Sequence, residues 1–593
     1  MAGSVTKGLI GAEDMHWWNG NEVDYTRPGS TGVVTMHPIG HMIDVLALYG
    51  NHVNFTGTSI LAAEDGTTTT NKTLLLRPGT WSVSATMSVS CGLYIPYGAV
   101  IDVAAGCTFQ VNGPLLYDGD GMYQMFSGDG TVTFGTDVQF CRPDWWNNNA
   151  SPGSTDMTDA LNAASSSGAS EIKHLGIYAI SDTYTLRTST TYSGPRGGSY
   201  VSGGSHPASG YGACLKWIGA ASGVMVEAKG IYNTHWDGID LDGVDYTDDV
   251  TGIYHHSDNS PTSQQCTFKN FWAFNLGYGM KIGNNSGGVH YQTDGWEVDN
   301  FRFYAVNIGI MINSQNGSQY SNITRGMIGC YHRGIDLEQA TGNCTIAHMS
   351  FVGLANATAT SAYIYFYSYL NEFKIEDIAG EALPGVTGWR DIFVNGSINY
   401  SAITVQSSVI VGGIVVAAAP VVCKILSIGN TYNTGAYEDT GVSIGGGNTF
   451  ISIGDTFVTT DDHVHETGTD NYVAYINPTY WAGIVNATQL KYSFNGTTIL
   501  ELDNTGAVKL GAGANLPTGT VTLTANSATT TVNNTIVTAN SLIFLFPATA
   551  NAAADLGSAT SVYISAKTAA TSFVITHPNN ANADKTFNYL IIN

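Results

Sequence analysis

Two near-copies of one motif, DGIDLDG at Asp237–Gly243 and DGWEVDN at Asp294–Asn300, mark the stretch that decides the fold. Around them, four apolar residues are each followed eleven residues later by a glycine. The pairs are Leu241 and Gly252, Phe268 and Gly279, Val298 and Gly309, and Ile323 and Gly334. Their starts lie 27, 30 and 25 residues apart (268 − 241, 298 − 268 and 323 − 298). A repeat of about 20–50 residues that keeps its glycine and apolar positions indicates a solenoid.

The repeat continues well beyond these four units. Ile346 and Ile375 extend the series, and SIGNTY at Ser427–Tyr432 recurs 25 residues later as SIGDTF at Ser452–Phe457. Within each unit the residues alternate between apolar and polar, with Gly and Asn at the corners, which is typical of strands joined by tight turns. We therefore predict an all-β chain whose main body is a parallel β-helix.

Composition narrows the range of partners. Charged residues make up only 11% of the 593, and 46 acids against 22 Lys and Arg give a net charge of −24. Binding to nucleic acid needs clustered cations, so this balance argues against it. It also mildly disfavours a polyanionic substrate, unless a local basic patch overrules it. The most apolar run, Val409–Cys423, is too short to span a bilayer, so we expect no membrane insertion.

Three stretches before residue 150 resemble a known family: LLLRPGTWSV at Leu74–Val83, YGAVIDVAAGCTF at Tyr97–Phe109 and FGTDVQFCRPDWW at Phe134–Trp146. They are similar to segments of the bacteriophage tailspikes and capsule depolymerases that carry a pectate-lyase-like, right-handed parallel β-helix. In that family a capping helix follows such segments, and Thr155–Gly168 has suitable start and stop residues. The Gly-Asp-Gly-x-x-Asp-Asp that usually precedes the helix is reduced to GSTDMTD, which departs from the family pattern.

The resemblance implies a division of the chain and a set of partners. The expected segments are an arm or attachment segment at 1–60, a β cap at 61–150, the β-helix with a capping helix near 155–166 at 151–485, a β connector at 486–515 and a β-sandwich-like module at 516–593. It further implies a homotrimer that joins the phage tail or baseplate through its N-terminal region. As a virion protein, it would act on a bacterial surface polysaccharide at the host cell surface.

Paired carboxylates on strands are the chemistry that the sequence offers in quantity. Residues two apart on a strand point the same way and stand about 6.6 Å apart, near the roughly 6.5–9.5 Å spacing of inverting glycosidases. Three pairs have this spacing: Asp240 and Asp242, Glu297 and Asp299, and Asp336 and Glu338. In the repeat alignment Asp242, Lys269, Asp299 and Thr324 form one outward column. We interpret this column first as a charge ladder, in which Lys269 offsets the repulsion between Asp242 and Asp299.

Asp336 and Glu338 are the first candidates for catalysis, and Glu297 and Asp299 are the second. In the alignment Tyr254, Lys281 and Met311 stand in the column of Asp336, which brings no cation one rung away. Mutual repulsion would then raise one pKa, as a general acid needs; the alternative is two solvated acids on an outer strand. The candidate substrate-binding residues are Arg333, Tyr278, Lys281 and Asp242.

Three further readings complete the sequence-based hypothesis. DDHVHETGTD at Asp461–Asp470 contains metal-ligating residue types but no identifiable partner ligands, so we expect an exposed loop, no metal and no cofactor. A polysaccharide lyase needs a cation and a base, for which Lys281, Arg302, Arg325 and Arg333 are candidates, but they do not stack in one column. An endo-acting glycoside hydrolase is therefore the first prediction. The alternatives are a lyase and a receptor-binding fibre that does not cut.

Overall fold

A computed structural model describes most of the chain from residue 73 onward. Before it, three strands are described, at Val23–Thr26, Val33–Met36 and Met42–Asp44. The other described residues are 73–90, 92–195, 212–258, 262–284, 293–314, 320–340, 343–367, 372–395, 399–417, 422–432, 442–444, 448–457, 464–466, 472–476, 489–494, 497–503, 508–511 and 515–593. The chain forms two compact units, Met1–Ile476 and Asn477–Asn593.

The first unit is dominated by one parallel β-helix, which confirms the fold class predicted from the repeat. Its 29 strands pair in parallel, each with the strand one rung further along, and fall into three columns that we call the first, second and third faces. First-face strands are Phe140–Cys141, Glu171–Lys173, Thr191–Ser193, His235–Asp237, Thr267–Lys269, Glu297–Asp299, Ser321–Ala340, Cys344–Gly353, Glu372–Ala382, Asn399–Gln406, Val422–Ile428, Thr449–Ile453 and Tyr472–Ile476.

The other two faces share several long strands, which bend at the corners. Second-face strands are Ile177–Ile180, Ala213–Trp217, Ile239–Asp242, Trp272–Ile282, Arg302–Ser314, Val409–Ile410, Thr431–Tyr432 and Thr456–Phe457, together with Ser321–Ala340, Cys344–Gly353 and Glu372–Ala382. Third-face strands are Tyr184–Thr185, Ser222–Lys229, Asp249–His256, Ala362–Phe366, Arg390–Val394, Ile414–Val416, Val442–Ile444 and Val464–Glu466, together with Trp272–Ile282, Arg302–Ser314 and Ser321–Ala340. Ser263–Gln264 and Thr293–Asp294 form a separate parallel pair.

The glycines of the repeat stack in one column on the inner side of the third face. Register places Gly252, Gly279, Gly309 and Gly334 on successive rungs. A Cβ at Gly279 would lie 2.7 Å from the carbonyl oxygen of Gly309, and one at Gly252 would lie 2.5 Å from that of Gly279. Only a residue without a side chain permits this approach, which explains why the repeat keeps glycine.

The corner after the first face keeps a left-handed residue on nine successive rungs. These residues are Gly238, Asn270, Asn300, Arg325, His348, Asp377, Ser407, Gly429 and Gly454. Their φ angles lie between 50° and 77°, a region that Gly and Asn tolerate best. Asp237–Gly238 and Asp299–Asn300 stand at this corner, whereas Asp294–Gly295 precedes the first-face strand Glu297–Asp299.

One part of the sequence alignment is wrong. Trp236, not Leu241, is the register partner of Phe268, and Leu241 pairs with Ala273 on the second face. The outward column is therefore Asp237, Lys269, Asp299 and Thr324, and Asp242 does not belong to the charge ladder. The reason is an insertion: Trp236 to Gly252 takes sixteen residues, whereas Phe268 to Gly279 takes eleven.

The region before the main helix is also built from parallel strands, in three small sheets. Those strands are Thr73–Leu75, Gly79–Val83, Met87–Val89, Gly92–Ile95, Ala99–Val103, Thr108–Val111, Leu115–Tyr117, Phe126–Ser127 and Thr131–Phe134, and Met42–Asp44 joins the first sheet. A 3-10 turn at Pro143–Trp145 and an α-helix at Thr158–Ser166 follow. The helix buries Leu161 and Ala164 in the core, so the capping helix predicted near 155–166 is present at this point of the chain.

The second unit is antiparallel. It contains the sheet of Gln489–Phe494, Thr497–Asp503 and Val508–Leu510, and two further three-stranded sheets. The latter are Thr518–Thr522, Thr586–Ile592 and Leu542–Pro547, and Thr529–Asn533, Ser572–Thr576 and Tyr563–Thr568. A helix at Ala550–Leu556 and the inward residues of both sheets form one core. Among the described residues, no helix has the length and apolar character to cross a membrane.

Candidate functional site

Five of the candidate residues meet on the outward side of the third face. Register stacks Tyr278, Ile308 and Arg333 in one column, and Lys281, Met311 and Asp336 in the next. Successive rungs are about 4.8 Å apart, so Lys281 and Asp336 stand two rungs, or roughly 10 Å, from each other. Glu338 follows Asp336 on the same strand.

Asp336 is a covered carboxyl. Its side chain is 0% exposed, and its Oδ2 atom accepts a hydrogen bond from Arg333 Nη1 at 2.6 Å. Among the residues that the structure describes, its Oδ1 atom has no hydrogen-bond partner. Burial raises the pKa of Asp336 to about 7, although the Arg333 guanidinium opposes the shift. This carboxyl therefore keeps its proton to a higher pH than an ordinary aspartic acid does.

This geometry corrects two expectations about the carboxylate pair. The alternative of two solvated acids does not hold for Asp336, and its cationic partner, Arg333, comes from three residues earlier on its own strand rather than from a neighbouring rung. Burial is the main cause of the raised pKa of Asp336, and repulsion from Glu338 is the smallest contribution. The spacing of these residues in the sequence showed neither the burial of Asp336 nor its ion pair with Arg333.

Arg333 lies beside both Asp336 and Glu338, and three neighbouring groups contact its guanidinium. Its Nη1 atom lies 3.9 Å from Glu338 Oε1, its Nε atom donates to the Thr360 carbonyl at 3.3 Å, and its guanidinium carbon stands 3.7 Å from the ring centroid of Tyr365. A guanidinium over an aromatic ring is favourable in both charge and packing. Glu338 has 37% of its side chain exposed, so it is the member of the pair that solvent reaches.

Lys281 and Tyr278 form the other end of the site. The Lys281 Nζ atom stands 3.5 Å from the Tyr278 ring centroid and 3.8 Å from Asp249 Oδ1. Burial lowers the pKa of Lys281 and raises that of Tyr278. Between the two charged ends the floor is apolar, with Ile308 buried and Met311 partly buried. The surface is therefore a strip with polar groups at both ends, a form that suits a chain of sugar rings.

The second pair of candidate acids lies on another face. Asp299 is on the first face, where Arg325 donates to it through its Nε and Nη2 atoms and the Thr324 hydroxyl donates to it at 2.8 Å. The hydrogen bonds from Arg325 are the main cause that lowers the pKa of Asp299. Glu297 is partly buried two residues before Asp299 on the same strand. This pair does not join Asp336 and Glu338.

Asp242 also lies apart from the site. It ends a second-face strand, and its Oδ1 atom accepts a hydrogen bond from Asn275 Nδ2 at 3.2 Å. Asp242 therefore does not share the third face with the other three candidate substrate-binding residues, Arg333, Tyr278 and Lys281.

Sequence reasoning missed three aromatic and acidic neighbours of the site. The Arg333 guanidinium packs on the ring of Tyr365. The ring of Tyr367 is nearly parallel to that of Tyr365, with centroids 6.4 Å apart, and Tyr367 is 51% exposed. Asp249 faces Lys281. The pattern YIYFY at 363–367 was an available signal for the two tyrosines, because alternate residues of a strand share one side.

In the part of the chain that the structure describes, no three His, Cys, Asp or Glu residues are grouped to hold a metal ion. Most of Asp461–Asp470 lies outside that part, and the structure describes only the backbone of the strand Val464–Glu466 within it. Cys266 and Cys344 are buried free thiols.

Comparisons with known proteins match the C-terminal part of the chain to one family model. A family model described as K1 capsule-specific polysaccharide lyase, C-terminal domain, matches residues 515–592. No curated protein matches the chain.

Solved structures similar to the chain include phage tailspikes. One is a mutant tailspike of Escherichia coli bacteriophage HK620 in complex with a pentasaccharide, at 11% identity and a TM-score of 0.33, covering 98% of both chains. Another is the Dettilon tailspike, at 12% and 0.40, covering 77% of this chain and 95% of that one. A third is a mutant DFA-IIIase from Arthrobacter chlorophenolicus A6 with DFA-III, at 12% and 0.32, covering 56% and 86%. Tailspikes are thus among the proteins to which the chain is similar, as the sequence motifs predicted.

Proposed function

We propose that this chain is a phage tailspike that binds a bacterial surface polysaccharide, capsule or O-antigen, along its third face and hydrolyses it. The observation that carries the proposal is the group Asp336, Arg333 and Glu338. It combines a buried carboxyl, whose pKa burial raises to about 7, with a solvent-exposed carboxyl group on one outward strand. Two carboxyl groups with different surroundings are what acid–base cleavage of a glycosidic bond requires.

In the proposed step Glu338 takes a proton from a water molecule as that water attacks the anomeric carbon. Asp336 gives its proton to the glycosidic oxygen, so that the C–O bond breaks and the leaving sugar departs as an alcohol. Since Asp336 is covered, Arg333 has to swing aside when the glycan binds. Catalytic contacts that form only in the complex are common in enzymes.

Hydrolysis is favoured over elimination by the charges of the site. A lyase needs a cation to neutralise the carboxylate of a uronate. Arg333 is paired with Asp336, and Lys281 faces Asp249, so both cations already stand beside acids. A net charge of −24 adds a general repulsion of acidic glycans.

The test is to incubate the purified protein with bacterial capsule or O-antigen and measure new reducing ends. We expect Glu338→Gln to lower the rate by at least a hundredfold, and Asp336→Asn likewise. Glu297→Gln is the matched control, because it removes a carboxylate from another face. Binding without any new reducing end would instead show a receptor-binding fibre that does not cut.

Elimination is a second candidate, favoured by one observation on the chain and one comparison. Burial lowers the pKa of Lys281, which is the direction that makes an amine a better base at neutral pH. The C-terminal match is to a domain of a lyase. New 4,5-unsaturated uronate absorbance, abolished by Lys281→Met and unaffected by Glu338→Gln, would support this alternative.

We further propose that three chains assemble into the spike, which joins the virion through its N-terminal region and acts at the host cell surface. One side of a sheet exposes three apolar side chains next to Leu590 and Ile592: Leu542 (60% exposed), Phe544 (44%) and Phe546 (53%). A contiguous apolar patch on an outer strand favours association.

A further inference from the structure

The corner between the second and third faces carries one unusual connection. Gly243–Asp248, which we call the corner loop, joins the strands Ile239–Asp242 and Asp249–His256. It accounts for the five extra residues of this rung, because the next rung turns the same corner within the single strand Trp272–Ile282. The contacts of the corner loop show where these extra residues lie.

The corner loop extends along the axis of the β-helix toward the following rungs. A Cβ at Gly277, one rung on, would overlap the carbonyl oxygen of Asp248, and a Cβ at Gly243 would lie 2.7 Å from Leu276 Cδ2. Inside the loop, the Thr247 amide donates to Asp245 Oδ1 at 2.9 Å and the Asp248 amide to the Asp245 carbonyl at 3.2 Å. The loop is therefore packed and internally bonded.

An aromatic pair fixes the tip of the loop three rungs further on. The ring of Tyr246 stacks on that of Tyr331, with centroids 3.6 Å apart and planes at 15°. Tyr331 belongs to the rung of Gly334, the third after that of Gly252. The loop thus covers roughly 14 Å of the corner at about 4.8 Å per rung.

Both ends of the corner loop adjoin the candidate site. Asp249, directly after it, faces Lys281 Nζ at 3.8 Å. Tyr331, under its tip, stands two residues before Arg333 on the same strand. The loop therefore contacts the chain next to both ends of the column of Tyr278, Ile308 and Arg333, at Gly277 and at Tyr331.

We propose that the corner loop is a fixed side wall of the polysaccharide groove, and that Tyr246 is its positioning residue. The wall holds a sugar ring over the apolar floor of Ile308 and Met311, next to the cleavage point. The stacked rings of Tyr246 and Tyr331 give that wall an apolar part against which the sugar ring packs. The inference rests on the proposed function, because it assigns a wall to the same groove.

The experiment compares Tyr246→Ala and Tyr246→Phe with Tyr232→Ala, an exposed tyrosine outside the groove. The probe is purified capsular polysaccharide from a strain whose lawn the wild-type protein clears. We expect Tyr246→Ala to raise KM about tenfold, the scale of one lost aromatic contact, with kcat and the unfolding temperature nearly unchanged. Tyr246→Phe keeps the stacked ring and should stay within threefold of the wild type, as should Tyr232→Ala.

The outcomes separate the inference from the proposed function. An unchanged KM in Tyr246→Ala, in a protein that cuts normally, overturns the side wall and leaves the proposed function intact. An equal loss in Tyr232→Ala also overturns it, since the effect would not belong to the groove. A wild-type protein that neither binds nor cuts any surface polysaccharide overturns the proposed function and the wall with it.

Discussion

At the scale of single residues, two buried carboxyls share one physical cause. Asp391 follows Gly334 and Tyr363 in the inner column of the third face and is fully buried, as Asp336 is. Its Oδ2 atom accepts from the amides of Val411 and Gly412, yet burial raises its pKa to about 7. Both carboxyls therefore hold their protons more tightly in the folded chain than in the unfolded one.

Asp391 should make stability depend on pH. Because its folded pKa lies above the unfolded value, its contribution is complete below about pH 4 and is lost as pH rises through about 7. The shift from 3.8 to about 7 corresponds to at most about 4 kcal/mol. We expect Asp391→Asn to raise the thermal unfolding midpoint at pH 9 and to change it little at pH 4. The same pH dependence in the variant and the wild type would contradict this assignment.

Tyr367 is an exposed aromatic residue one rung from Glu338, and its amide donates to the carbonyl of Leu337 at 3.0 Å on the previous rung. We expect Tyr367→Ala to weaken polysaccharide binding about tenfold, because a stacked sugar ring would lose its apolar partner. Tyr367→Phe keeps the ring and serves as the control. Equal affinities of the alanine and phenylalanine variants, measured by titration calorimetry, would exclude a platform at this position.

At the scale of elements, the glycine column limits how closely rungs stack. A methyl group at Gly279 would meet both the Gly309 carbonyl and the Phe303 ring at 2.7 Å. We expect Gly279→Ala to cost about 1–3 kcal/mol, as overpacking of a core usually does. Gly176→Ala is the matched control, since its nearest atom would be 4.0 Å away. Equal unfolding midpoints of the two variants would show that the rungs can move apart.

At the scale of the whole molecule, the outer strand Leu542–Pro547 is expected to hold copies of the chain together. A charge at Phe546 would have to lose its hydration in a contact between chains. We expect sedimentation of the wild type to give three times the 62.7 kDa chain, and Phe546→Lys to give one. Thr531→Lys, exposed on the other sheet, should leave the mass unchanged. A monomeric wild type would remove the proposed trimer.

Local sequence determined the architecture because solenoid rungs repeat the same local constraints. Gly279, Gly309 and Gly334 recur since rungs meet backbone to backbone, and Asn270 and Asn300 recur since the corner needs a left-handed residue. Period-2 alternation then fixed which side chains face the core. These features predicted the β-helix and the columns of Lys281 and Asp336 without any contact across the chain.

The tertiary structure decided the surroundings of each acid pair, which equal spacings in the sequence could not show. Asp336 and Asp299 have the same acid-x-acid pattern, but one is covered beneath Arg333 and the other is bound by Arg325 at a corner. The insertion of Gly243–Asp248 misplaced Asp242 by one strand, because a period in sequence carries no record of where extra residues fold. Desolvation and the stacking of Tyr246 on Tyr331 depend on atoms far apart in sequence, and only the folded chain brings them together.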